Sequence, residues 1–175
     1  MTHPADQGSA ALGRFAPPPS AAPLVEVHLL GVPLHVMRAS REHHDGLMRE
    51  FRILALSGQA EEHDLPRRLV ELVQILGQQY GTRRDRRDAE LEAAIAAGRQ
   101  VMDHVEVVPA AASEAVVRLG ALMEEADSYC RQALLMTLPR PAVLRRFGDW
   151  YIGQFVDQLA GRSAVRWDGP LRVEV

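Results

Sequence analysis

The same predicted order of elements, a strand followed by two helices, occurs twice along this chain. Identical residues recur 75 positions apart in the two copies: Leu47, Met48, Glu50, Pro66 and Leu69 correspond to Leu122, Met123, Glu125, Pro141 and Leu144. A constant offset across two helices and the loop between them indicates a duplicated supersecondary unit. We therefore expect two equivalent units, at about residues 24–81 and 101–161, within one globular domain over 23–162.

Composition limits the class of protein. A chain of 175 residues, 47% hydrophobic and 25% charged, is long enough for one globular domain. Its net charge of −3 argues against a general nucleic-acid binder, whose surface is basic. The single Cys130 favours a reducing compartment, and the chain has neither a signal-peptide pattern nor a membrane-spanning apolar run. We expect a cytoplasmic protein that binds neither nucleic acid nor membrane.

Both ends of the chain are predicted to lie outside the globular domain. Residues 1–22 are rich in Pro, Ala, Gly and Ser, a composition typical of a disordered tail. Residues 163–175 are expected to form a C-terminal tail or, from Leu171 to Val175, an edge strand.

The first unit is predicted to begin with a strand. Apolar and polar residues alternate over 24–30, and Gly31 and Pro33 are expected to end the strand, although 34–37 can continue the sheet. Ser40 then caps the first helix, because its hydroxyl can accept a free amide of the first turn.

The remaining elements complete an α+β architecture. After the first helix ends near Leu56, the pattern predicts helices over about 64–81, 83–99, 111–134 and 141–160, a strand over 104–108, and Gly161 as the last C-cap. The helix over 83–99 is a charged linker between the units. The expected fold is mostly helical: a pseudo-duplicated strand-helix-helix unit that forms a roughly four-helix layer with a small sheet.

A histidine motif lies in the first helix. The segment from Arg41 to Leu47 resembles the phosphoacceptor motif of sensor histidine kinases, in which an Arg-Glu pair, a histidine and an aspartate precede Gly-Leu. By that resemblance His44 is the phosphoacceptor and Asp45 the carboxylate that orients its imidazole. The helical wheel favours another interpretation, because it places His44 in the apolar stripe, His43 at the edge of the stripe and Asp45 toward water. A buried His44 would be structural.

Two further groups of residues are candidate sites. His43, His44, Glu61 and His63 are competent metal ligands, but no two of them share the helical spacing of a metal pair, so we expect no metal or other cofactor. Tyr129, Trp150 and Tyr151 stand out in a chain with 5% aromatic residues and are candidates for a ligand pocket or partner surface. Helical spacing favours the core for Tyr151, and Trp150 is the residue that we expect to be exposed.

A second resemblance concerns the strand of the second unit. The strand that ends at Pro109, followed by a helix with Val116 and Leu119, resembles the N-terminal region of anti-sigma-factor serine kinases of the histidine-kinase-like ATPase superfamily. The chain has no asparagine and no Asp-x-Gly-x-Gly segment, which that superfamily uses to hold magnesium and nucleotide. ATPase activity of that type is therefore not expected.

These observations favour a regulatory protein over an enzyme. Glycine-rich nucleotide loops and a nucleophile elbow are absent from the sequence. We expect a non-catalytic signalling component whose partner is a kinase, a phosphatase or an anti-sigma type protein, with a homodimer as one further arrangement. The alternatives are a histidine phosphotransfer protein that uses His44 and a small-molecule or metal-binding sensor.

Overall fold

The computed structural model describes residues 23–56 and 88–173 of the chain. These ranges contain two strands and four helices in the order β1 (Leu24–Pro33), α1 (Leu34–Leu56), α2 (88–96), β2 (Val101–Pro109), α3 (Ser113–Arg131) and α4 (Ala142–Leu159). Helix α2 is described only from residue 88 onward. The predicted fold class, α+β and mostly helical, is confirmed. The helix predicted over 64–81 and its share of the repeat lie outside the described residues.

The two strands form an antiparallel sheet. Val27 and Leu29 are fully buried and lie opposite Glu106 and His104 of β2. Gly31 does not end β1 as predicted, because the strand continues through it as a bulge between Leu29 and Val32. Gly31 adopts a φ of 70°, and its N–H donates to Asp103 Oδ1 at 2.6 Å.

Two glycine-to-alanine substitutions should shift stability in opposite directions. A Cβ atom at Gly31 would lie 2.8 Å from Arg166 Nη1 and would have to adopt a left-handed φ, so Gly31→Ala should lower the free energy of unfolding by about 1–2 kcal/mol. A Cβ atom at Gly153 in α4 would meet no atom within 4 Å. Because alanine favours helix, Gly153→Ala should raise the free energy by up to about 1 kcal/mol. Urea unfolding of both variants checks these signs.

Helix α1 begins six residues before the predicted cap. Ser40 lies inside the helix, and the segment 34–37 is helical rather than an extension of the sheet. The reason is burial: Leu34 and Val36 are fully buried in the core, and the Leu34 N–H donates to the Gln100 carbonyl at 2.9 Å. The Arg41–Leu47 segment therefore lies in the interior of a 23-residue helix.

The second half agrees more closely with the sequence. Strand β2 includes the predicted 104–108, and α4 differs from its prediction by one residue at each end. Gly161 has a φ of 81° just beyond α4, as expected of a C-terminal glycine. Helix α3 ends at Arg131, three residues early, and residues 171–173 do not form the proposed edge strand.

The edge of β1 that faces away from β2 is hydrogen-bonded to a side chain of α4 and to the C-terminal segment. Gln158 of α4 accepts from the His28 N–H at 2.8 Å and donates to the His28 carbonyl at 2.9 Å. The Trp167 N–H donates to the Leu30 carbonyl at 3.0 Å. This edge is thus covered by a helix side chain and the C-terminal segment, which protects an edge strand from pairing with another chain.

The core consists of two apolar clusters. The first lies between the sheet, the start of α1 and helices α2 and α4, and its buried members include Leu29, Leu91, Phe147 and Trp167. The second, here called the α1–α3 cluster, contains the buried residues Leu47, Met48, Phe51, Leu122, Ala126, Cys130 and Leu135. Leu47 and Leu122, which correspond in the sequence repeat, therefore lie in the same cluster.

Candidate functional site

A buried ion pair lies beside the α1–α3 cluster. Asp127 of α3 is fully buried and accepts hydrogen bonds from Arg140 at its backbone N–H (3.1 Å) and at Nε (2.8 Å). The Arg140 side chain is 8% exposed and also donates from Nη2 to Glu124 at 2.6 Å. Two carboxylates therefore hold one guanidinium, and one of them also fixes the backbone of residue 140.

A second carboxylate contact fixes the segment between α3 and α4, residues 132–141, which we call the α3–α4 loop. Glu50 of α1 accepts from the N–H of Met136 at 2.5 Å, the N–H of Thr137 at 2.9 Å and the Thr137 hydroxyl at 2.7 Å. Gly46 lies one helical turn earlier on the same face of α1, and a Cβ atom there would lie 4.0 Å from Thr137 Oγ1. The α3–α4 loop therefore packs closely against α1.

The start of the α3–α4 loop is fixed by its backbone. Ala133 has a left-handed φ of 55°, its N–H donates to the Cys130 carbonyl at 3.1 Å, and the Leu134 N–H donates to the Tyr129 carbonyl at 3.0 Å. This pair of bonds is the Schellman arrangement that ends many helices, with alanine in the position usually taken by glycine. A non-glycine residue there is strained by about 1–2 kcal/mol.

The α3–α4 loop nevertheless exposes large apolar side chains. Met136 is 93% exposed, Leu138 78% and Leu134 47%, whereas Leu135 between them is buried in the α1–α3 cluster. Glutamate and aspartate carboxylates thus hold in place a loop whose outer surface is apolar.

His43 faces this polar region. Burial lowers the pKa of its imidazole below the ordinary 6.5; nearby Asp127 opposes that shift, and Arg140 adds to it. Its buried Nε2 atom makes no hydrogen bond within the described part of the chain. The folded protein therefore favours neutral His43.

Stability should accordingly depend on pH through His43. The unfolded chain binds a proton at His43 at a higher pH than the folded chain does, so the free energy of unfolding should rise with pH up to the ordinary pKa of 6.5 and then level off. His43→Gln should remove this contribution. The free energy of unfolding of the unaltered chain and of His43→Gln is measured in urea between about pH 5 and pH 8. The difference between the two curves gives the contribution of His43, because the other histidines are present in both proteins. A difference that does not change with pH would contradict the assignment.

Cys130 is unsuited to act as a nucleophile. Burial raises the pKa of its thiol, and the carboxylates of Asp127 and Glu50 raise it further. The thiolate is the reactive form, so this cysteine stays inert at neutral pH.

The two histidines of the motif do not differ in their class of burial. Asp45 is exposed, as predicted, but His44 is half-buried rather than enclosed in the core, and His43 is half-buried as well. The charges of Asp127 and Arg140 act on the pKa of His43. His44 is thus shielded in part, in the direction that the helical wheel predicts, but it is not one of the fully buried residues of either cluster.

The proposed metal ligands are described only in part. Glu61 and His63 lie outside the described residues. Within 23–56 and 88–173, no group of three or more histidine, cysteine, aspartate or glutamate side chains is placed to hold a metal ion.

The three aromatic candidates do not form one site. Tyr129 packs against the α1–α3 cluster, whereas Trp150 and Tyr151 pack against the first cluster. The ring centroids of Trp150 and Trp167 are 5.5 Å apart, and Trp150 Nε1 donates to the Val165 carbonyl at 2.9 Å. Trp150 is thus partly buried, and its role here is to hold the C-terminal segment.

Sequence reasoning missed both Asp127 and the α3–α4 loop. Asp127 follows Ala126 directly on the apolar stripe of α3, and an acidic residue beside a stripe is a weak sign of a buried ion pair. The apolar run from Leu134 to Leu138 between two helices was the available sign of the exposed loop.

Comparisons of the chain with protein-family models, with curated proteins and with solved structures return no match. No helix within the described residues is long and apolar enough to cross a membrane.

Proposed function

We propose that this chain is a non-catalytic interaction protein that binds a protein partner through the surface around the α3–α4 loop. The observation that supports this most directly is the exposure of Met136 and Leu138 on a backbone held by Glu50 and Asp127. Fully burying one such side chain contributes about 1.5–3 kcal/mol, so a partner that covers the loop gains a substantial driving force. A loop that is already ordered loses little entropy on binding.

The site chemistry supports binding over catalysis. Asp127 and Arg140 bind each other, Glu50 binds the α3–α4 loop, and the Cys130 thiol is kept protonated. These side chains are used to shape the surface. Together with the two sequence resemblances, this favours a cytoplasmic component of bacterial two-component or partner-switching signalling, with a kinase, a phosphatase or an anti-sigma type protein as partner.

Histidine phosphotransfer by His44 is the second candidate. It is favoured by the position of the Arg41–Leu47 segment inside a long helix, as in the kinase motif, and by the partial exposure of His44 beside the exposed Asp45. Its weakness is that the resemblance covers only seven residues.

Photo-cross-linking tests the interaction function. A photoreactive amino acid is placed in turn at Leu24, Val117, Met136 and Arg162, exposed positions on separate elements of the chain, in a bacterial host. We expect an adduct with one protein that, once purified, forms a stoichiometric complex with the unaltered chain. If no position leads to a complex that can be rebuilt from purified components, the interaction function is wrong.

Phosphodonor incubation separates the two candidates. The interaction function predicts no acid-labile phosphate on the chain after incubation with acetyl phosphate and no ATP turnover. Phosphate that appears on the unaltered chain and is lost in His44→Gln, with the free energy of unfolding unchanged, would support phosphotransfer instead.

A further inference from the structure

Four backbone N–H groups of the α3–α4 loop already have partners within the chain, which favours side chains as the contacts for a partner. The N–H groups of Met136 and Thr137 donate to Glu50, and those of Ala133 and Leu134 donate to carbonyls of α3. Adding the loop to the edge of a partner's sheet would require main-chain hydrogen bonds, which these donors cannot supply. Because the donors are paired, the loop can enter an apolar environment without leaving them unsatisfied.

The charges near the loop favour a protein groove over a membrane. No residue between Arg131 and Arg140 is charged, and Arg140 is paired with Asp127 and Glu124. Membrane binding by a few apolar side chains needs a basic cluster that attracts anionic lipid. The loop has no such cluster, and the chain carries a net charge of −3.

The size of the loop argues against a second copy of the chain as the occupant. Stable interfaces use roughly 20–30 residues on each side. In a two-fold dimer the loop would face its own copy, and two projecting loops can touch over only a small area. A concave partner can enclose the same three side chains and contact their surroundings.

We propose that a protein partner encloses Leu134, Met136 and Leu138 in an uncharged apolar groove, and that Glu50 is the positioning residue that holds the α3–α4 loop in the conformation that binds. This inference rests on the proposed function. It specifies the surface, the chemistry of the partner and the residue that preorganises the loop.

Calorimetry with the purified partner from the cross-linking experiment tests the groove. Met136→Ser and Leu138→Ser should each raise the Kd roughly tenfold or more, because these side chains lie at the centre of the contact. Val117→Ser, which alters a 51% exposed apolar side chain on α3, should leave the Kd unchanged. The Kd should change less than about threefold between 0.05 M and 0.5 M salt, since screening acts on charges.

A variant of Glu50 tests its positioning role. In Glu50→Gln one acceptor oxygen is replaced by an NH2 group, which cannot accept a hydrogen bond from the loop N–H groups. Hydrogen exchange at Met136 and Thr137 should therefore accelerate, and the Kd for the partner should rise. Glu92→Gln is the matched control, because Glu92 is exposed and its ion pair with Arg38 is 3.9 Å long. Unchanged exchange and unchanged Kd in Glu50→Gln would overturn the positioning role.

The outcomes distinguish the proposal that the loop binds in a groove from the proposal that the chain is an interaction protein. Equal Kd values for the unaltered chain and Met136→Ser would overturn the loop assignment while leaving an interaction protein. Binding to phosphatidylglycerol vesicles that is lost in Met136→Ser would assign the loop to a membrane, and self-association lost in the same variant would assign it to a second copy. Absence of any reconstituted complex would overturn the proposed function itself.

Discussion

Replacing Asp127 with alanine is expected to lower the free energy of unfolding by about 3–5 kcal/mol. The substitution removes the two Asp127 oxygens that accept from Arg140. It leaves a guanidinium whose side chain is 8% exposed, with Glu124 as its remaining carboxylate. A buried charge without its partner costs far more than the intact pair contributes. Urea unfolding followed by circular dichroism measures the loss.

Two controls identify the cause of that loss. Asp157→Ala breaks the ion pair with Arg162, which is 62% exposed, and should cost less than about 1 kcal/mol. Adding Arg140→Met to Asp127→Ala should recover part of the stability, because it removes a buried charge that Glu124 alone compensates. A loss below about 1 kcal/mol for Asp127→Ala, or no recovery in the double variant, would contradict this account.

The sequence predicted elements best where the pattern was local. Alternation in β2 and the Pro141 to Gly161 signals of α4 located these elements within a few residues. The start of α1 could not be found this way, because a good cap at Ser40 competes with the burial of Leu34 and Val36, and burial depends on tertiary contacts. Helix α3 was extended too far because Ala133 adopts the left-handed conformation without the usual glycine signal.

The candidate site was largely invisible in the sequence for a related reason. Asp127 and Arg140 are 13 residues apart, and Glu50 and Thr137 are 87 apart, so no short motif links them. The histidine motif points to His44, whereas the charges of Asp127 and Arg140 act on the pKa of His43. Local patterns indicate helices and strands, whereas the contact of Glu50 with the α3–α4 loop depends on how α1 packs against α3.

That packing is tested by a second large effect, at Phe51. Phe51 is fully buried in the α1–α3 cluster, so Phe51→Ala should cost about 3–5 kcal/mol through the cavity it leaves. Ile53→Ala on the same helix should change stability by less than about 0.5 kcal/mol, because Ile53 is 60% exposed.

The sequence repeat makes a sharper prediction about this cavity. The counterpart of Phe51, 75 positions later, is Ala126, and both are buried in the same cluster. If the two units pack about an approximate two-fold axis, the large side chain of one unit fills the space beside the small side chain of the other. Adding Ala126→Phe to Phe51→Ala should then restore part of the lost free energy of unfolding. A double variant that is less stable than Phe51→Ala alone would show that the two positions are not equivalent and would count against the duplication.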